Sequence, residues 1–156
     1  LIGNFGVSVL GSKAIITKLP KKIAFGSIVN QGLPFYGATI TYKIPFKCNN
    51  GDLIVTTNKY FGALISVKID NEEKGKIVLP PYELKIKNIQ AGKHLLELKL
   101  YISRQNTFGA LHLAAPLHWK GPNMWYCKDN LYSIEYCFSQ PGIMKKPKIE
   151  IIYKNK

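Results

Sequence analysis

From residue 94 to residue 103 the chain reads His-Leu-Leu-Glu-Leu-Lys-Leu-Tyr-Ile-Ser, with Leu96, Leu98, Leu100 and Ile102 at every second position. Only an extended strand turns such a set to one side, because successive side chains of a strand point to opposite faces. A helix would scatter the same residues around its circumference. The alternation recurs over 38–44 and 63–69, where β-branched residues are frequent. No stretch keeps a 3.6-residue apolar period for ten or more residues. The chain is therefore restricted to sheets.

The punctuation between strands sets the architecture. Val7-Ser8-Val9-Leu10 and Lys13-Ala14-Ile15-Ile16-Thr17 flank Gly11-Ser12, the pattern of a hairpin with a two-residue turn. A strand over 38–44 is expected to stop at Pro45. Strands follow over 53–57 and 63–69, then a turn over 70–75 and a return over 76–78. Pro80-Pro81 breaks the run before a short strand at 82–86 and the long one at 94–103. Residues 107–113, 132–138 and 149–153 complete the set. Short strands at roughly eight- to twelve-residue spacing predict an all-β fold, a jelly-roll β-sandwich in which two sheets bury alternate faces.

The 156 residues suffice for one domain with its own core. The expected organisation is an opening hairpin and connecting strand over 1–30 and a jelly-roll core over 31–156. The chain opens on Leu1-Ile2-Gly3 without a methionine, which suggests a domain taken from the C-terminal end of a larger protein.

Charge and cysteine content narrow the partners. The net charge is +13, which suits an anionic polymer or a lysine-rich solvated surface. Only one basic residue, Arg104, is arginine. Arginine is the usual reader of guanine edges, so nucleic acid is not expected as a partner. No run approaches the ~20 apolar residues of a membrane helix, so a membrane is not expected either. Cys48, Cys127 and Cys137 are odd in number and form no CxxC pair. Free thiols, a reducing and hence cytoplasmic setting, and no metal or cofactor are the expectations. A pairing of Cys127 with Cys137 stays open.

Several segments together carry a family likeness. They are Ile40-Thr41-Tyr42, the stretch 62–70 with Gly75 after its turn, Pro80-Pro81-Tyr82, and Gly92-Lys93-His94-Leu95-Leu96-Glu97-Leu98. This run resembles the sugar-binding, galactose-binding-like β-sandwich domain that accompanies catalytic barrels in glycoside hydrolases of the family 2 type. Gln31-Gly32-Leu33-Pro34-Phe35-Tyr36-Gly37 and Arg104 to His112 are similar to segments of C-terminal domains in bacterial glycosidase-like proteins. Ala38 and Ala110 stand where that pattern has glycine and proline. The resemblance spans residues 1–145. It implies a non-catalytic accessory domain whose partner is the catalytic domain of the same parent chain, with carbohydrate as ligand. The alternatives are a stand-alone carbohydrate-binding module, or a fragment that lends one residue to a glycosidase active site.

The residues themselves offer sugar-binding tools rather than hydrolytic ones. Hydrolysis of a glycoside needs two carboxylates about 5–10 Å apart. Most of the nine acidic residues lie in turns or alternate along strands as surface groups. Glu135, flanked by Tyr132 and Tyr136, is the least ordinary of them. No catalytic residue is assigned. Sugars are gripped by aromatic faces and by amide or guanidinium donors. The candidates are Tyr36, Arg104, Asn106, His112, Trp119, Asn123 and Trp125; for the aromatics, core packing competes with that role. The lone Arg104 is also expected to brace, through its fork of donors, the loop that leads into His112.

Overall fold

The computed structural model describes residues 2–114 and 129–153. Contacts group the chain into two units, Leu1–Ala38 with Ser103–Pro141, and Thr39–Ile102 with Gly142–Lys156.

The first unit begins with the expected hairpin. β1 (Gly6–Leu10) pairs antiparallel with β2 (Lys13–Thr17), and Gly11 takes the left-handed conformation, φ 60°, at the turn. A short 3-10 turn, Val29–Gln31, follows. The Gln31 amide fastens the loop before it, accepting from the Ala24 N–H and donating to the Ala24 and Ser27 carbonyls.

The second unit is a β-sandwich of jelly-roll type, and it holds most of the apolar core. In its larger sheet β3 (Thr39–Cys48), β9 (Gly92–Tyr101), β6 (Leu64–Ile69) and β7 (Glu72–Ile77) lie side by side in that order, all antiparallel. The smaller sheet has the order β11 (Lys148–Tyr153), β4 (Gly51–Thr56), β8 (Glu83–Ile89). A short antiparallel pair, β5 (Tyr60–Phe61) with β10 (Gly142–Ile143), forms a separate two-stranded ladder. Register explains the core. Ile40–Leu100–Ile65, Tyr42–Leu98–Val67 and Ile44–Leu96–Ile69 form rows across three strands. All of these except Ile44 are buried, as are Leu53, Val55, Ile86 and Ile89 of the smaller sheet. The sheets meet where Gly75 of β7 approaches Leu84 of β8. A Cβ there would come within 2.9 Å of Leu84 Cδ1, and the glycine's φ is 148°.

Some expected boundaries move. β3 continues through Pro45 to Cys48. It is an edge strand among the described residues, where a missing N–H breaks no ladder bond. The turn expected over 70–75 shrinks to Asp70-Asn71, both left-handed (φ 51° and 71°), so β7 starts at Glu72. The strand expected at 82–86 runs to Ile89. The strands expected over 107–113 and 132–138 are absent. Instead there is a four-residue helical turn, α1 (Gln105–Phe108), a 3-10 turn at Asp129–Leu131 and one isolated bridge, Leu113 to Tyr132. Apolar alternation alone did not find these segments a ladder partner. Their backbone groups bond singly, as in Ser133 N–H to His112 O and Cys137 N–H to Leu111 O.

The β6–β7 turn carries an ion pair with a pH signature. His94 Nδ1 lies 2.6 Å from Asp70 Oδ2 and its Nε2 lies 3.0 Å from the Gln90 carbonyl. Both neighbours are acceptors, so the imidazolium satisfies both contacts. The Asp70 hydrogen bond, and then the Gln90 carbonyl, raise the His94 pKa above its ordinary value. The His94 bond, and then the Leu95 N–H at 2.8 Å, lower that of Asp70. The His94 contribution is full below its ordinary value of 6.5 and lost as pH rises through the raised one. The Asp70 contribution is full above its ordinary 3.8 and lost as pH falls through the lowered one. The stability gap between the native chain and Asp70→Asn should therefore be widest between about pH 4 and 6.5 and shrink as the pH rises through the raised His94 value. Asparagine tolerates the left-handed turn position, so the variant isolates the charge. Urea midpoints measured across that range check it; a gap that is flat in pH would remove the pair from the stability account.

Candidate ligand-binding cleft

The described sequence candidates all fall in the first unit, but they do not converge on one site. Asn106 is buried at 1% exposure on α1. Its Nδ2 donates to the Ser139 carbonyl at 2.9 Å, and its Oδ1 accepts from the Ser139 N–H at 3.0 Å and Oγ–H at 2.7 Å. That pattern uses three of the amide's four hydrogen-bonding sites, and the side chain is buried, so Asn106 serves the fold rather than an open site. His112 is half-buried and donates from Nδ1 to the Ser133 carbonyl at 2.9 Å. Its ring stacks on Tyr132 and tilts against Tyr136, with centroids 5.7 Å and 4.9 Å apart. Tyr36 is half-buried, in the turn where its N–H bonds to Leu33 O. Trp119, Asn123 and Trp125 lie outside the described residues.

Arg104 departs from its expected bracing role. It is exposed, and no hydrogen bond or ion pair of its guanidinium is found among the described residues. Its backbone does the structural work. The carbonyl accepts from Thr107 N–H at 3.0 Å and Phe108 N–H at 2.9 Å, opening α1. Asn106, two residues on, is the brace. An amide pairs with a peptide group on both its donor and acceptor sides; a guanidinium has donors alone. Cys48, buried, and Cys137 carry free thiols, while Cys127 lies outside the described residues.

The cleft of this unit is lined by other residues. It has a volume of about 500 Å³ and opens between the β1–β2 hairpin, the 29–32 turn and the extended segment 135–140. Each wall is tied to the next. Val7 N–H donates to Gly32 O at 2.8 Å, and Ile28 N–H to Pro141 O at 3.0 Å. Ser27 Oγ–H donates to Gln140 Oε1 at 2.6 Å. The Asn106–Ser139 clamp holds the last wall, and the neighbours of Ser139, Phe138 and Gln140, line the cleft. Phe35 packs edge-on against Tyr136 and Phe138, whose rings stack on each other at 5.4 Å. The aromatics thus serve chiefly as the cleft's support.

The groups offered to a ligand are the carboxylate of Glu135, the amides of Asn30 and Gln140, and the hydroxyls of Ser8 and Thr17, beside Val7, Val9 and Val29. Glu135 faces the hairpin turn, where a Cβ on Gly11 would stand 3.6 Å from its Oε1. Such a lining can accept from and donate to several hydroxyls. It holds one carboxylate, where hydrolysis needs two. Among the described residues no group of three or more His, Cys, Asp or Glu is placed to hold a metal ion. Composition flagged Glu135 through its aromatic neighbours. Ser8 and Thr17 carried no signal, since they read as the wet positions of a hairpin.

No protein-family model matches the sequence, and no curated protein matches it. A solved structure shares the fold. A rhamnosidase from Novosphingobium sp. PP1Y aligns over 93% of this chain at 16% identity, with a TM-score of 0.54. A GH2 β-galacturonidase from Eisenbergiella tayi, bound to galacturonate, aligns over 93% at 18% identity, with a TM-score of 0.46. The chain spans 14% of the first enzyme's length and 22% of the second's.

Proposed function

We propose that this chain is a non-catalytic accessory β-sandwich of a glycoside hydrolase, which supports a catalytic domain of the same polypeptide and holds a saccharide in the cleft of its first unit. The observation that carries this reading is the shared fold: nearly the whole chain corresponds to 14% of the Novosphingobium rhamnosidase. A segment of that proportion has the size of one domain among several. The cleft adds the ligand. Its mixture of one carboxylate, two amides and two hydroxyls suits the polyhydroxylated face of a neutral sugar.

The test is calorimetry of the purified chain against neutral mono- and oligosaccharides, with aryl-glycoside turnover measured alongside. Binding should weaken by about tenfold in Glu135→Gln, the loss of one charged hydrogen bond. Turnover should be absent. Hydrolysis abolished by a single acidic substitution would overturn the accessory role. Binding that ignores Glu135 and instead fails in Arg104→Ala would move the site out of the cleft.

A further inference from the structure

The core rows of the larger sheet have a counterpart on its opposite face. Register sets Thr41, Lys99, Ser66 and Lys76 in one line across β3, β9, β6 and β7. The next line is Lys43, Glu97, Lys68 and Glu73. Lys47 lies opposite Lys93 further along. These positions alternate with the buried Tyr42, Val67, Leu98 and Ile77 and so share the outer face, where Lys43, Lys47, Lys76 and Lys93 are exposed, Lys68 and Lys99 are half-buried, and the small Ser66 between Lys99 and Lys76 is buried. Six lysines there meet two glutamates, and Lys43 pairs with Glu97 at 3.0 Å. The remaining cations form a two-dimensional array. Its spacing is that of the sheet, about 7 Å between alternate residues of a strand and about 10 Å between alternate strands.

The border of the array matters as much as its charge. Tyr101, 38% exposed, flanks the first line, and Lys99 Nζ sits 5.3 Å from its ring centre. An aromatic face beside a cation complements a pyranose that carries an acidic group: the ring stacks on the sugar's C–H face while the ammonium meets its anion. We infer that the outer face of the four-stranded sheet, a lysine array bordered by Tyr101, binds acidic polysaccharide, a chain of pyranoses bearing carboxylate or sulfate. Several weak ion pairs made by one linear ligand reinforce each other without any deep pocket. Nucleic acid fits the face less well. No arginine stands on it to grip phosphate as a fork, and a single exposed ring offers no series of stacking platforms.

The array shares no residue with the cleft, so the two can be tested apart. Affinity electrophoresis of the full chain in gels holding polygalacturonate, dextran sulfate, neutral dextran or duplex DNA is the experiment. Retardation is expected with both acidic polysaccharides and not with dextran. The triple variant Lys68→Gln, Lys76→Gln, Lys99→Gln should lose at least about tenfold in affinity. A second triple, Lys13→Gln, Lys18→Gln, Lys21→Gln, removes the same charge from the other unit and should keep most of it. Tyr101→Ala should weaken the polygalacturonate interaction while the salt dependence stays the same. The ratio of carboxylated to sulfated binding identifies which acid the face prefers. Equal losses in the two triples would show a net-charge effect and overturn the site, as would tighter binding to DNA or equal binding to dextran. Thermal melts establish that each variant is folded. Loss of saccharide binding in Glu135→Gln with the polyanion response intact would mark the cleft and the array as separate.

Discussion

Leu98→Ala should destabilise the fold by about 2–5 kcal/mol, the range for emptying a fully buried leucine site. Leu98 has no solvent exposure and sits mid-sheet, with Tyr42 on one side and Val67 on the other. Leu96 and Leu100, equally buried, flank it on its own strand. Four branched or aromatic neighbours held by two hydrogen-bonded ladders have little freedom to close over a cavity. The void therefore persists, which places the cost towards the upper half of that range. Urea unfolding should show a lower midpoint with an unchanged slope, since the area exposed on unfolding hardly differs. Ile102→Ala is the comparison: it lies beyond the end of β9 and is half-buried, so it should cost distinctly less. A loss under about 0.5 kcal/mol for Leu98 would mean that the leucine face is not the core.

That face was legible in the sequence because burial on a single side writes a period of two into the residues. β6 was legible for the same reason; β1 and β2 were legible instead through the Gly11-Ser12 turn between two β-branched runs, since β2 is exposed throughout. Pro45 misled because a proline ends a strand only where its N–H would have joined a ladder, and edge position is a property of the assembled sheet. Residues 107–113 and 132–138 misled differently. Tyr132, Tyr136 and Phe138 have strand-like composition, but here their rings cluster with Phe35 and His112 and the backbone is held by single bonds. Side-chain packing had replaced the ladder, and propensity cannot tell the two apart.

The candidate sites were legible only as a neighbourhood. Scarcity singled out Arg104, and the crowd of polar residues after it marked the stretch from which Asn106 clamps Ser139. Which of them turns inward depends on the helical turn at Gln105–Phe108, and four residues are too few to leave a period in the sequence. The cleft was harder still. Its lining comes from three segments far apart in the chain, and its hydroxyls occupy positions that look like ordinary wet strand residues. The lysine array lay in plain view as alternation with apolar residues. Its grouping became visible only when register set Lys99, Lys68 and Lys76 on neighbouring strands.

The clamp at Asn106 is where the largest effect outside the sandwich should appear. Asn106→Ala removes three hydrogen bonds at once and leaves the Ser139 N–H, carbonyl and hydroxyl without their partner. A buried polar group stranded in this way costs about 1–3 kcal/mol; Ser139 is half-buried, so water recovers part of each term and a loss of about 2–4 kcal/mol is expected for the three together. Arg104→Lys, two residues away, should change stability by no more than about 0.5 kcal/mol, because the native guanidinium is exposed and its backbone role survives the exchange. The pair of variants reverses the ranking that scarcity suggests, in which the lone arginine is the brace. It also reaches the cleft, since Ser139 stands between Phe138 and Gln140 on the lining segment. Releasing that segment should weaken saccharide binding in Asn106→Ala even at temperatures where the chain remains folded. Chemical denaturation of both variants, with calorimetry on the folded Asn106→Ala protein, decides the matter. A larger loss from Arg104→Lys than from Asn106→Ala would return the bracing role to the guanidinium.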